Sequence, residues 1–265
     1  MQKVFEELTI AFRKNSGVLH EEQYRQIVTK HTTLLEDAET IFILLQASGY
    51  PITQHNEEHY RLETFFTPHS EQRFCVIDIE TNGSKPGTSQ VIEIGAVMIQ
   101  DGKVIDRFES FVECAYLPEY ITKITGIEPI DLKGAPSRKE ALTALRHFMG
   151  DAVFVAHNAN FDHTFLNASF DRFGLGRIGN PKLCTIDLAR RTFESERYGL
   201  AYLIDFLEIE TATHHRAYSD AVCAAKVMEK SFEGLPEYVK SVDELLRFST
   251  SSKKDRRIEK EKQSQ

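Results

Sequence analysis

The sequence predicts an α/β protein, a mixed β-sheet flanked by helices and preceded by a small, mainly helical unit. Three observations lead there. Apolar residues recur at helical spacing from Phe5 to Leu45. Three apolar runs separated by turn residues fill 73–113. Beyond Ala141, helix-period and strand-like stretches alternate, which sets helices on both sides of a sheet.

In the first 70 residues, Phe5, Leu8 and Phe12 mark one helix, Tyr24, Ile27 and Val28 a second, and Ile41, Leu44 and Leu45 a third. Gly49-Tyr50-Pro51 breaks the pattern, and Ile52–Gln54 and Tyr60–Leu62 flank a polar tetrapeptide as a hairpin would. Three helices and a hairpin give a winged-helix-like order of elements. The unit carries six Lys/Arg against ten Asp/Glu, whereas a duplex reader presents a basic face. Protein contact or substrate gating is therefore expected of it. The expected division is 1–70 for this unit, 71–232 for the sheet domain, and 233–265 for a short amphipathic segment with a charged tail. Val242, Leu245, Leu246 and Phe248 mark that segment, and the polar Ser249–Gln265 is expected to be disordered.

The sheet domain opens on Phe74-Cys75-Val76-Ile77-Asp78-Ile79-Glu80-Thr81, an apolar run that ends in two carboxylates. Side chains alternate along a strand, so Asp78 and Glu80 point to one face and Ile79 to the other. Carboxylates fixed side by side resist joint ionisation unless a cation lies between them, and hard divalent ions prefer such oxygen ligands. Two acids ending an edge strand in solvent would look the same at this stage. Strands follow at 90–99 and 103–113, joined by Gln100-Asp101-Gly102, with turn chemistry suited to a hairpin. A helix bearing Ala141, Leu142, Leu145 and Phe148 precedes a buried strand at Ala152–Ala156. Phe161, Phe165, Phe170 and Phe173 trace the next helix, with Asn160 as its N-cap and Asp162 in its first turn, where the helix dipole alone favours an acid. Ala217, Ala221, Ala224, Ala225 and Met228 give a last helix, beginning near Arg216, a small-residue face that lets it lie close to the sheet and carry Asp220 to the other acids. His215 stands just outside it.

Composition narrows the remainder. Hydrophobic residues make up 41%, enough for a core, yet no run reaches the roughly 18 apolar residues of a membrane span. The first residues lack the apolar stretch of a signal peptide, so a cytoplasmic protein is expected. Its cysteines, at 75, 114, 184 and 223, form no Cys-x-x-Cys pair, which argues against a disulfide framework or a zinc site. Gly174-Leu175-Gly176-Arg177-Ile178-Gly179 spells a dinucleotide-loop pattern but follows a helix and precedes a strand, the reverse of the required context.

Asp78-Ile79-Glu80-Thr81, His157-Asn158-Ala159-Asn160-Phe161-Asp162 and His215-Arg216-Ala217-Tyr218-Ser219-Asp220-Ala221 resemble, in order, the three motifs of the DEDDh 3′→5′ exonucleases. That family includes the epsilon proofreading subunit of bacterial DNA polymerase III, ribonuclease T and oligoribonuclease. The likeness covers about 71–232, with Ile92–Val97 similar to the family's second strand and Ile124-Thr125-Gly126-Ile127 to the segment that meets the primer terminus. Thr125 departs from the histidine of many members. The resemblance implies a ribonuclease H-like sheet and hydrolysis of a single-stranded DNA or RNA 3′ end to nucleoside 5′-monophosphates. It implies two divalent ions, Mg²⁺ or Mn²⁺, held by Asp78, Glu80, Asp162 and Asp220, with His215 as general base, a role that the unperturbed histidine pKa of about 6.5 suits at neutral pH. Thr81, Ile124, Thr125, Ile127, His157, Asn158 and Phe161 are the implied substrate contacts. The implied setting is proofreading beside a DNA polymerase catalytic subunit. RNA trimming, or a non-catalytic nucleic-acid- or polymerase-binding module, is the alternative.

Overall fold

The computed structural model describes residues 1–31, 37–210 and 216–252. The chain opens with α1 (Gln2–Lys14), β1 (Val18–His20), α2 (Glu21–Thr29), α3 (Ala38–Ala47), β2 (Ile52–Asn56), β3 (His59–Leu62) and a 3-10 turn at Glu63–Phe65. Val4, Phe5, Leu8 and Phe12 fall on one side of α1 and pack with Tyr24, Val28, Ile41, Leu45 and Leu62 in a core of their own. The Asp37 carboxylate accepts the Thr40 amide at 2.6 Å and starts α3, as an N-cap does. The three expected helices and the hairpin are present. The short strand β1, which pairs antiparallel with β3 to give a sheet ordered β1-β3-β2, was not anticipated.

The larger sheet comprises β4 (Phe74–Thr81), β5 (Val91–Gln100), β6 (Lys103–Phe111), β7 (Val153–Ala156) and β8 (Lys182–Cys184) in the order β6-β5-β4-β7-β8. The first three form an antiparallel meander, while β7 and β8 add in parallel beside β4. Its helices are α4 (Glu119–Thr125), α5 (Pro129–Leu132), α6 (Arg138–Met149), α7 (Ala159–Arg172), α8 (Thr185–Thr192), α9 (Leu200–Phe206), α10 (Ala217–Glu233) and α11 (Val242–Thr250). Alternation along β4 sends Cys75, Ile77 and Ile79 into a core with α6 and α7. Phe74 and Val76 face the opposite way, toward α8, α10 and α11. Asp78 and Glu80 continue that second face where the strand runs out. This is the expected mixed α/β sheet with helices on both sides. Among the described residues, no helix is long and apolar enough to cross a membrane.

Two local expectations are corrected. Asn160 does not cap α7: the helix begins at Ala159, Asn158 sits at the cap in the left-handed conformation (φ 65°), and the Asn160 side-chain oxygen Oδ1 instead accepts a hydrogen bond from Lys182 Nζ at 2.7 Å. The expected amphipathic segment near the C-terminus is present as a packed helix, but the polar tail begins later than expected. Val242, Leu245 and Phe248 are buried in the sheet's second core, and α11 extends through Ser249 to Thr250, past the start of the expected tail. Residues 253–265, the rest of that tail, lie outside the described residues. The Val242 amide donates to the Thr67 carbonyl at 3.0 Å and the His69 amide to the Lys240 carbonyl at 2.9 Å, so the segment leading into α11 is stitched to the end of the N-terminal unit.

Candidate metal centre

Three strand and helix ends converge on one spot. Asp78 and Glu80 come from the end of β4, Asp162 from the first turn of α7 just after β7, and Asp220 from the first turn of α10. Carboxylate oxygens of Asp78, Glu80 and Asp220 lie within 4.8 Å of one another. Asp162 is 3% exposed and close enough to Asp78 to repel it, while its own carboxylate accepts the Ile79 amide.

The electrostatics are those of mutually repelling carboxylates. Loss of solvation, then repulsion from Asp162, Glu80, Asp220 and Glu93, holds the Asp78 carboxyl well above the ordinary range. Desolvation, with repulsion from Asp220, Glu93 and Asp162, pushes Glu80 up to about 8, opposed by Arg216. Burial raises Asp162 to about 7 despite the backbone amides it accepts. Among the described residues, no Lys or Arg forms an ion pair with Asp78, Glu80 or Asp162, and the nearby Arg216 is paired with Glu93. Oxygen donors that repel one another this strongly fit a hard divalent cation, which would restore their ionised form.

The close approach of α10 has a definable cause. Gly95 of β5 stands opposite Asp78, and a Cβ there would overlap the backbone of Ala217 and Tyr218. Only a glycine lets helix and strand come this near. The small-residue face formed by Ala217, Ala221, Ala224 and Ala225 is buried, as the sequence pattern required.

The remaining predicted residues divide. Ile124 and Phe161 are 55% and 37% exposed and available for contact, as is Asn158. Tyr120, one turn before Ile124 on α4, is exposed as well, with its hydroxyl beside the Gly83 turn that follows β4. The others face inward. The Thr81 hydroxyl donates to the Gly83 carbonyl at 2.9 Å. Thr125 is buried, donating to the Ile121 carbonyl and accepting the Ile127 amide, and Ile127 lies in a small core with Ile92, Ile121 and Leu132. His157 uses both ring nitrogens: Nε2 donates to the Tyr198 carbonyl at 2.9 Å and Nδ1 accepts the Thr185 hydroxyl at 2.8 Å. Burial lowers its pKa to about 4, so the ring is neutral and serves as a strut between β7 and α8. His215 lies outside the described residues.

Sequence reasoning missed Glu93 and Arg216. Glu93 is 6% exposed and binds Arg216 through Nη2–Oε1 and Nε–Oε1 contacts of 2.8 and 3.0 Å. An acid inside the apolar run Val91–Val97 was the available signal, two residues from a glycine on the same face.

Comparison with known proteins bears on the family and the fold. A family model described as Exonuclease (RNase_T) matches residues 75–228, more than half of the chain. The chain is 40% identical over 178 residues to a PolC-type DNA polymerase III of Caldanaerobacter subterraneus subsp. tengcongensis, a match covering 66% of this chain and 13% of that protein. It is 39% identical over 175 residues to the PolC-type polymerase of Halalkalibacterium halodurans, covering 65% of this chain and 12% of that protein. The chain thus spans about an eighth of the curated relatives it matches. In fold it is similar to exonuclease X in complex with 5′ overhanging duplex DNA (TM-score 0.50, 24% identity, 65% of this chain and 99% of the other). It is also similar to E. coli exonuclease I in complex with an oligonucleotide (TM-score 0.53, 18% identity, 60% and 40%).

Proposed function

The chain belongs to the exonuclease family of DEDD type, and on that premise we propose that it is a divalent-metal-dependent 3′→5′ exonuclease acting on single-stranded DNA ends. One observation carries the reading. Within the family-matched region, segments more than a hundred residues apart bring Asp78, Glu80 and Asp220 within 4.8 Å of one another beside the buried Asp162. Asp78, Glu80 and Asp220 would hold one Mg²⁺ or Mn²⁺ and Asp162, with Asp78, a second. When bound, such ions supply Lewis acidity to the phosphoryl oxygens. His215 would take the proton of the attacking water, whose oxygen bonds to phosphorus as the P–O3′ bond breaks; the departing O3′, protonated from solvent, becomes the new 3′-hydroxyl of the shortened strand, and a nucleoside 5′-monophosphate is released. Ile124, Tyr120 and Phe161 offer the exposed apolar and aromatic surface on which the terminal bases would rest.

The relation to PolC-type polymerases supports proofreading beside a polymerase catalytic subunit as the setting. The division at residues 70 and 232 belongs to the same proposal: the N-terminal elements share one core, though α11 joins the core of the sheet. The test is to incubate the chain with matched 5′-labelled single-stranded DNA and RNA oligonucleotides, with Mg²⁺, Mn²⁺ or EDTA. Metal-dependent shortening of DNA from its 3′ end, with mononucleotide products, is expected. Faster shortening of RNA would move the substrate assignment to RNA, and no shortening of either would overturn the reading.

A further inference from the structure

We propose that Glu93 and Arg216 form a latch that holds the first turn of α10 against β5 and so aims Asp220 at Asp78 and Glu80. Glu93 is then a positioning residue for the centre, not one of its ligands. The inference rests on the metal-centre reading above and adds to it the element that assembles it.

Glu93 stands directly opposite Glu80 in the β4–β5 register, and paired residues in an antiparallel sheet share a face. By position alone it could be a further metal ligand. Its oxygens are already committed, however. Oε1 accepts both Arg216 Nε and Nη2, and Oε2 accepts the Ala217 backbone amide at 3.1 Å. A buried carboxylate on a strand therefore satisfies one of the four open amides at the start of a helix that begins 124 residues later. The Arg216 side chain does not do this locally, since as the N-cap of α10 it makes no side-chain cap bond.

The arginine is fixed on its other side. Its guanidinium carbon lies 5.2 Å from the centre of the Phe111 ring, and Phe111 is the cross-strand neighbour of Glu93 on β6. Three strands thus contribute to the seat: β6 the ring, β5 the carboxylate, and β4 the acids. The latch is linked to Asp220 through the backbone, because the Asp220 amide donates to the Arg216 carbonyl at 2.9 Å, the first hydrogen bond of the helix. Gly95, two residues along β5, removes the steric bar to that approach. If the latch opens, the turn that carries Asp220 loses its anchor while Asp78 and Glu80 stay on the sheet.

A bare charge effect predicts the opposite sign, which makes the latch testable. Arg216→Gln removes a positive charge beside the acids, so electrostatics alone would tighten cation binding. A latch predicts weaker binding, by about 10- to 100-fold, the usual cost of losing a group that orients a metal ligand. Mn²⁺ affinity of the full chain would be measured by titration calorimetry on wild type, Arg216→Gln, Arg216→Lys and Glu93→Gln, with melting curves in EDTA to confirm folding. Arg216→Lys keeps the charge but loses the two-nitrogen fork, so it too should bind less tightly, and it serves if Arg216→Gln fails to fold. Weaker Mn²⁺ binding by a folded arginine variant supports the latch. Binding by that variant as tight as wild type or tighter overturns it. If the unsubstituted chain binds no Mn²⁺, the centre itself falls and the latch with it.

Discussion

Two places in this molecule bury a carboxylate, and they treat it in opposite ways. Asp243 of α11 is 1% exposed and lies between Arg13 of α1 and Arg247, whose Nε atoms donate to it at 3.0 and 2.8 Å. Asp162, just as hidden, lies beside Asp78 and Glu80, with no Lys or Arg ion-paired to any of the three among the described residues. The first site is neutralised by the chain's own side chains and fastens the N-terminal unit to the sheet domain. On the proposed reading, a cation from solution would complete the second. Mutually repelling carboxylates with no Lys or Arg ion-paired to them among the described residues mark function better than burial does.

Substitutions can break this contrast. Asp78→Ala should lower turnover by on the order of 10³-fold or more, since it removes a central ligand of the proposed site. Its melting temperature in EDTA should not fall, because repulsion leaves with the ligand. A substantially less stable Asp78→Ala would mean that the acids support the fold. Asp243→Ala should do the reverse, costing stability toward the lower end of about 3–5 kcal/mol while turnover per folded molecule persists. The lower end applies because Arg13 and Arg247 have side chains 40% and 46% exposed and can turn to water. Unchanged melting of that variant would put the two sites on the same footing.

The pH dependence sharpens the comparison. Glu80 and Asp162 have folded-state pKa values raised to about 8 and about 7, so between pH 4 and 8 these two groups hold more protons in the native state than in the unfolded one. Stability supplied by these groups is therefore present at low pH and is lost as pH rises toward 8. In EDTA the melting temperature should carry this downward contribution between pH 5 and 8, reduced by Mn²⁺, which binds the ionised acids. A metal-insensitive profile in calorimetry would contradict the assignment. The smallest effects distinguish neighbours on α4. Thr125→Val should cost about 1–2 kcal/mol, because it strands the buried Ile127 amide, with little change in KM. Ile124→Ala should leave melting nearly unchanged and raise KM for an oligonucleotide a few-fold.

Much of this could be read from the residues. Alternation along Phe74–Thr81 put Asp78 and Glu80 on one face, and helical periodicity placed Asp162 and Asp220 in first turns. The pairing of Glu93 with Arg216 was hidden because the partners are 123 residues apart and no local rule joins them. The bonding of Thr125 and His157 was not legible either, because their polar atoms are taken up by backbone and hydroxyl partners that only folding brings near. β1, three residues long, is too short for periodicity to reveal. The Asn160 cap failed by two residues: Asn158 adopts the left-handed turn at the helix entrance, a conformation asparagine tolerates well.

The stitching of Thr67 and His69 to Lys240 and Val242, with Arg13 on Asp243, also dictates an order of events during synthesis. Residues 4–62 supply a core of their own and can begin to condense while most of the chain is still being made. Their final docking cannot occur until residues 240–250 emerge, more than 170 residues later. Closing contacts so distant in sequence is slow relative to local helix formation, so the junction should be among the last parts of the molecule to mature. Until then Arg13 of α1 lacks the Asp243 carboxylate that it pairs with in the finished fold.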